Sequence, residues 1–299
     1  MKVIGGTDKD GEFVATTSSS LENGDTIILN NDGTVARVFD SSQEVGAESD
    51  PSGTDVNVSE IRSDFDGINN KFVVVYTNNA NQYGYIVIGE LKGTTLTWGT
   101  PQAFTDHTCA NIDVACTDQG TGRVVVCYRN NSIGDSPGQA KVGTINADGT
   151  VTFGTAVTYT IRSSTTYAGW YNRITLMGSP AGRVTIVYRE GSTTHGYVAL
   201  GTVATSGNSI TFNDPVQFSS GNCDNFGISR LYNGAQILVA WSEGAAQGKC
   251  RVGTVEGNPY QIVFGNNTVD FSGGSTNSTF NAVTYVSDDT GQVYGTSSG

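Results

Sequence analysis

The chain has 299 residues, of which 39 are Gly and only 15% are charged, and its formal net charge is −12. That length holds one large all-β domain or two ordinary ones. The negative balance repels a phosphate backbone and argues against a nucleic-acid partner, and no window approaches the roughly 20 apolar residues of a membrane span, so no membrane insertion is expected.

The opening, MKVIGGTDKDGEF, lacks the apolar core of a signal peptide, and the expectation is a soluble protein made in a cytoplasm. Residues 1–55 read as an N-terminal extension. Within them, Asp25 to Asp40 resembles the second half of a unit repeated later, because Asn31-Asp32-Gly33-Thr34-Val35 matches the turn Ala147-Asp148-Gly149-Thr150-Val151. Ser41 to Gly53 reads as a polar linker.

The repeat itself fills 56–104, 111–159, 171–218 and 224–271. In its clearest copy IDVACT alternates, DQGTG turns, RVVVCYRN is an apolar run, QAKVGTIN follows, ADGT turns and VTFGTAVTY closes the unit, giving four short strands and no helix. Three landmarks drift together. The aromatic ending the second strand falls at Tyr76, Tyr128, Tyr188 and Trp241, at spacings of 52, 60 and 53. A third-strand glycine falls at Gly89, Gly143, Gly201 and Gly253, at spacings of 54, 58 and 52. A fourth-strand aromatic falls at Trp98, Phe153, Phe212 and Phe264, at spacings of 55, 59 and 52. A four-stranded unit of about this period predicts an all-β fold, a β-propeller whose blades bury their apolar faces only against one another.

A fifth unit begins at residue 273 and stops within its second strand at residue 299, with Gly291 placed as the turn glycine. Its first and second strands and the N-terminal half-unit at 25–40 are complementary. The expectation is a fifth blade closed by both termini, which removes exposed sheet edges; the alternative is a front part of a longer polypeptide.

Turns between first and second strands and between third and fourth strands are short, so one face is plain. The long, dissimilar loops Asp106 to Ala110, Asn130 to Gln139, Thr160 to Trp170 and Ser219 to Cys223 share the opposite face, where binding is expected. The candidate binding residues there are Tyr83, Arg129, Tyr167, Trp170, Tyr171 and Arg189: aromatics suited to stacking on sugars, and arginines that suit carboxylate or sugar recognition. Solvated strand ends and core or subunit packing are the plainer readings of the same residues.

Catalytic signals are weak. His107 and His195 lie in different repeats, so a metal site or a Ser-His-Asp triad would need distant loops to converge. The only G-x-S-x-G is Gly295 to Gly299, where no helix follows the turn. Asp113, Glu190, Asp224 and Glu243 lie near strand ends, and a propeller glycosidase needs only two carboxylates across one bond. A sialidase-type S-x-D-x-G-x-T-W box fails in all four repeats, as NADGTVTF shows. Asp/Asn/Gly clusters such as Asp64 to Gly67 miss the calcium-loop pattern and read as turns. Neither cofactor nor metal is expected. The five cysteines, Cys109, Cys116, Cys127, Cys223 and Cys250, include no C-x-x-C, and a disulfide framework is not expected.

The segments GRVVVCYRN…AKVGTINADGTVTFGTAVTY and GRVTIVYRE…YVALGTVATSGNSITFNDPVQF, with ENGDTIILNNDGTVARV before them, resemble propeller-like repeats in virion appendage proteins of tailed, especially marine, bacteriophages. The resemblance covers roughly residues 20 to 295 and carries no catalytic motif. It implies a non-enzymatic structural protein on the particle surface, a tail fibre, capsid knob or decoration protein that contributes to host attachment. Its implied partners are other virion proteins, through the N-terminal segment or the plain face, and a host-surface glycan or envelope protein, with many copies or a homo-oligomer on the particle. The alternatives are a propeller enzyme acting on polysaccharide and a non-viral lectin-like scaffold.

Overall fold

The computed structural model describes residues 27–29, 34–37, 49–53, 56–92, 95–117, 122–160, 169–178, 181–231, 234–244, 247–271, 281–285 and 293–297. The chain forms two compact units, Met1–Ala47 and Glu48–Gly299. In the first, β1 (Ile27–Leu29) pairs antiparallel with β2 (Val35–Arg37), with Ile28 opposite Ala36. The turn expected at Asn31 to Gly33 lies outside the described residues.

The second unit contains four antiparallel sheets in series. The first blade comprises β3 (Val58–Asp66), β4 (Lys71–Asn78), β5 (Gly84–Lys92), β6 (Thr95–Trp98) and β7 (Gln102–Ala103). The second comprises β8 (Cys109–Cys116), β9 (Arg123–Asn130), β10 (Gly138–Ile145), β11 (Val151–Phe153) and β12 (Val157–Thr158). The third runs through β13 (Trp170–Met177), β14 (Arg183–Arg189), β15 (Gly196–Val203), β16 (Ile210–Phe212) and β17 (Val216–Ser219). The fourth has β18 (Cys223–Arg230), β19 (Gln236–Glu243), β20 (Gln247–Glu256), β21 (Gln261–Phe264) and β22 (Val269–Asp270). A further hairpin joins β23 (Asn281–Tyr285) to β24 (Val293–Ser297), with Val283 opposite Gly295. The first strands β3, β8, β13 and β18 lie side by side in that order, and β23 lies beside β18. Among the described residues there is no helix.

The expected fourth strand is split in every blade. β6 and β7 both pair with β5, and the same division recurs in the other three sheets. After the first piece, the N–H groups of Gly99, Gly154, Asn213 and Gly265 still donate to Ile88, Val142, Leu200 and Val252. The chain then leaves the edge for two or three residues, over stretches such as Gly99-Thr100-Pro101 that suit a turn and not a ladder.

The landmark positions meet across the sheets. Gly89, Gly143, Gly201 and Gly253 stand opposite Trp98, Phe153, Phe212 and Phe264. Each aromatic ring lies over its glycine so closely that an added Cβ would come within 2.5 to 2.9 Å of a side chain. A second glycine of the third strand does the same work. Gly84, Gly138 and Gly196 lie under Phe104, Tyr159 and Phe218, the aromatics that end each unit.

Those terminal aromatics join the blades. Phe104 meets Tyr128 at 5.7 Å between ring centroids, Tyr159 meets Tyr188 at 5.6 Å and Phe218 meets Trp241 at 5.1 Å. Each pair sits in a separate apolar cluster formed between consecutive blades. Tyr76 is equally buried but stacks on Tyr85 of its own blade, in a smaller cluster with Val74 and Val87. The duplicated unit is therefore one packing device used repeatedly: glycine, then ring, then the next blade's ring.

Candidate functional site

At the loop face every first strand contains the same break in register: between Ser59 and Arg62, Ala110 and Asp113, Trp170 and Arg173, and Asp224 and Gly227. Within each break a non-glycine residue takes the left-handed conformation: Glu60 (φ 51°), Asn111 (51°), Tyr171 (57°) and Asn225 (52°). An L-residue held there costs roughly 1–2 kcal/mol, less for Asn, and a bulge of this kind re-aims a side chain. Sequence reading missed it. The signal available was the spacing of 51, 60 and 54 between these positions, with Asn at two of the four.

The residue before each bulge pairs with the residue after the landmark aromatic, so Trp170 faces Arg189 and Ala110 faces Arg129. This places side chains from three blades together. The Arg129 guanidinium lies 3.8 Å from the centroid of the Trp170 ring. Arg189 approaches Trp170 at 5.6 Å and Tyr171 at 4.9 Å. Trp170 and Tyr171 have ring centroids 6.1 Å apart. Arg129 Nε donates to Asn131 Oδ1 at 2.7 Å, and Arg189 donates to and ion-pairs with Asp224. Burial raises the Asp224 carboxyl above its ordinary range, against the opposing Arg189 charge.

Four of the six expected binding residues thus converge. The arginines that also read as solvated strand ends are stacked on aromatics instead. Tyr83 does not join them: it is half-buried in the first blade's loop, where its N–H donates to Asn81 Oδ1 and its carbonyl accepts from Asn78 N. Tyr167, with most of the loop Thr160 to Trp170, lies outside the described residues.

A hydrogen-bonded chain runs along the bulges towards the cluster. Asn111 Nδ2 donates to Glu60 Oε1 at 3.3 Å, Tyr171 N donates to Asn111 Oδ1 at 3.2 Å, and Asn172 Nδ2 donates to the Asn111 carbonyl at 3.0 Å. Glu60 Oε2 and Asn172 Oδ1 are buried with no hydrogen-bond partner.

The other carboxylates are committed to structure. Glu190 accepts from the backbone and hydroxyls of Ser192 and Thr193, holding its own loop. Glu243 accepts from Trp241 Nε1, Ser219 Oγ and Lys249. Asp113 lies in the first-strand ring, where its two oxygens accept from Val114 N and Ile174 N, both at 3.0 Å. Burial raises its carboxyl, opposed by Arg173 and Arg62. The histidines have local partners, His107 with Asp106 and His195 with Gln217. Among the described residues no three His, Cys, Asp or Glu are grouped to hold a metal.

No protein-family model matches the sequence, and no curated protein is similar to it. Solved structures are similar in fold. A Hadza microbial sialidase matches with a TM-score of 0.50 at 11% identity, over 78% of this chain and 51% of that one. The fold is a β-propeller. AofleA from Arthrobotrys oligospora follows at 0.49 and 11% identity, over 81% of this chain and 66% of its own. The catalytic domain of a Coprinopsis cinerea GH62 α-L-arabinofuranosidase gives 0.41 and 11%, over 73% and 71%. The chain spans about half to two thirds of the length of the first two.

The fold shared with the sialidase corrects the expectation of a particle-surface protein. The resemblance to phage repeats rested on strand-and-turn patterns, which any propeller of this unit length shares, and the sialidase carries the same architecture. The propeller repeat stands; the virion, tail-fibre and host-attachment readings do not. The expectation of no enzyme, drawn from the weak catalytic motifs and from that resemblance, is corrected as well, since the sialidase is an enzyme on this fold.

Proposed function

We propose that this chain is a propeller that acts on polysaccharide, with its loop face as the sugar site. The observation that supports this most is the convergence of Arg129, Trp170, Tyr171, Arg189 and Asp224 from three blades in one cluster. Aromatic rings with fixed faces stack on sugar rings, and planar guanidinium groups hold their hydroxyl and acid oxygens. Asp224, half-buried and paired with Arg189, is the acid we assign as proton donor; burial raises its carboxyl against the Arg189 charge, the direction a general acid requires. Glycoside cleavage needs a second carboxylate, and Glu60, at the equivalent bulge of the first blade and carrying an unpartnered buried oxygen, is the acid we assign to that role.

The test is incubation of the chain with a panel of neutral and acidic polysaccharides, reading released reducing ends and retention on immobilised polymer. Turnover of at least one polymer, lost in Asp224→Asn, is expected. Absence of both turnover and retention across the panel would sink the reading.

A further inference from the structure

A pocket lies where the end of the third blade meets the fourth. It has a volume of about 450 Å³ and is walled by Gln217, Ser219, Trp241, Glu243, Lys249 and Arg251, within the size range of small-ligand sites. Its hydrogen-bond balance is lopsided. The lone acid, Glu243, is already engaged: Oε2 accepts Trp241 Nε1 at 3.0 Å and Ser219 Oγ at 2.8 Å, and Oε1 takes the Lys249 ammonium. Lys249 has three N–H groups and spends one on Glu243. Arg251 spends Nε on the Gly265 carbonyl and Nη1 on the Phe218 carbonyl, both at 2.7 Å, which leaves further guanidinium donors. Two cations and one carboxylate line the pocket, with Asp270 opposite Lys249 on the neighbouring strand, and the lining holds more donors than acceptors.

The repeat supplies internal controls. In the second blade the same frame has Asn130 and Gln139 where the fourth has Glu243 and Lys249, and Asn130 Nδ2 donates to Gln139 Oε1 at 3.0 Å. Lys141 stands for Arg251 there and holds the Phe104 carbonyl at 2.7 Å, as Arg251 holds that of Phe218. The third blade has Tyr197 and Ala199 at these positions and no cation. The inter-blade staple therefore needs only one cation, or none. Among the described blades the fourth alone adds a second cation, and this pair of cations lines the pocket.

We infer that this pocket binds a sugar-sized organic molecule bearing one carboxylate, with Lys249 and Arg251 taking the acid group. A dense polyanion fits poorly, because the chain's net charge of −12 repels it at long range. The site is separate from the Trp170 cluster and does not depend on the polysaccharide reading.

Titration calorimetry of the full chain decides it, with glucuronate as probe, methyl glucoside as the uncharged match and sulfate as the inorganic anion. Saturable glucuronate binding is expected, with methyl glucoside at least tenfold weaker. Lys249→Gln should weaken glucuronate at least tenfold, and Trp170→Ala should leave it unchanged. Should Lys249→Gln unfold, Ser220→Trp at the exposed rim fills the pocket without touching the ion pair and should give the same loss. The inference fails if glucuronate does not bind, if sulfate alone binds, if both variants bind as well as the parent, or if Trp170→Ala abolishes the signal. That last outcome would place the acid at the other site and leave the polysaccharide reading standing.

Discussion

Phe218 ends the third blade with its ring at 5.1 Å and 60° to that of Trp241 in the fourth, and both are almost wholly buried. Edge-on aromatic pairs add about 0.5–1.5 kcal/mol beyond the area they bury. Phe218→Ala and Trp241→Ala should each cost about 3–5 kcal/mol in denaturant unfolding, and a double-mutant cycle should return a coupling near 1 kcal/mol. A coupling of zero would mean the two rings contribute independently, with no stabilising contact between them.

Beneath Phe218 lies Gly196, where an added Cβ would stand 2.4 Å from the ring. Gly196→Ala must push the ring off its partner. The expected loss is about 1–3 kcal/mol from overpacking, with the near-ultraviolet signal of Trp241 changed. Gly207, at a turn with open space around it, is a useful contrast: there the cost comes from its left-handed φ of 73° and not from contact.

The fold was legible because this device repeats. Tyr128, Tyr188 and Trp241 marked the apolar run that each blade buries, and the glycine–aromatic rulers marked strands that turned out to be in register. The split fourth strand was harder to see, since Gly99 and its equivalents keep one ladder bond before the chain departs. At the site, Arg129, Trp170, Tyr171 and Arg189 stood out as large side chains beside variable loops. Asp224 was visible only as one acid among many, because its meaning depends on Arg189, 35 residues away in sequence. The bulges hid because left-handed geometry at Glu60 or Tyr171 contradicts local preference, which left the repeat spacing and the residues Asn111 and Asn225 as the only trace.

The pH dependence of turnover follows from Asp224. Its folded-state carboxyl is raised, chiefly by burial, so its stability contribution is complete below the ordinary carboxylate range and lost as pH rises through the folded value. As a general acid it must be protonated, so kcat/KM should fall along the same rise. Arg189 opposes the shift. Arg189→Met should therefore move the descending limb to higher pH, and an unmoved limb would exclude Asp224 as the acid.

The Arg129 contact with Trp170 tests whether planarity or charge matters. A guanidinium stacks flat on an indole, and an ammonium does not. Arg129→Lys should weaken polysaccharide retention nearly as much as Arg129→Ala, and Trp170→Ala should cost about 2 kcal/mol, the scale of an aromatic anchor. Full retention by Arg129→Lys would show that charge alone suffices.

Tyr171 separates strain from recognition. It is held at φ 57° where two equivalent positions carry Asn, a residue that accepts this conformation more readily. Tyr171→Asn relieves strain and removes the ring, whereas Tyr171→Ala removes the ring and keeps the strain. The Asn variant should be more stable than the Ala variant by about 1 kcal/mol in chemical denaturation, while both lose sugar retention alike. Equal stabilities would mean the left-handed bulge stores nothing, and retention by either variant would remove Tyr171 from the stacking surface and leave Trp170 to form it.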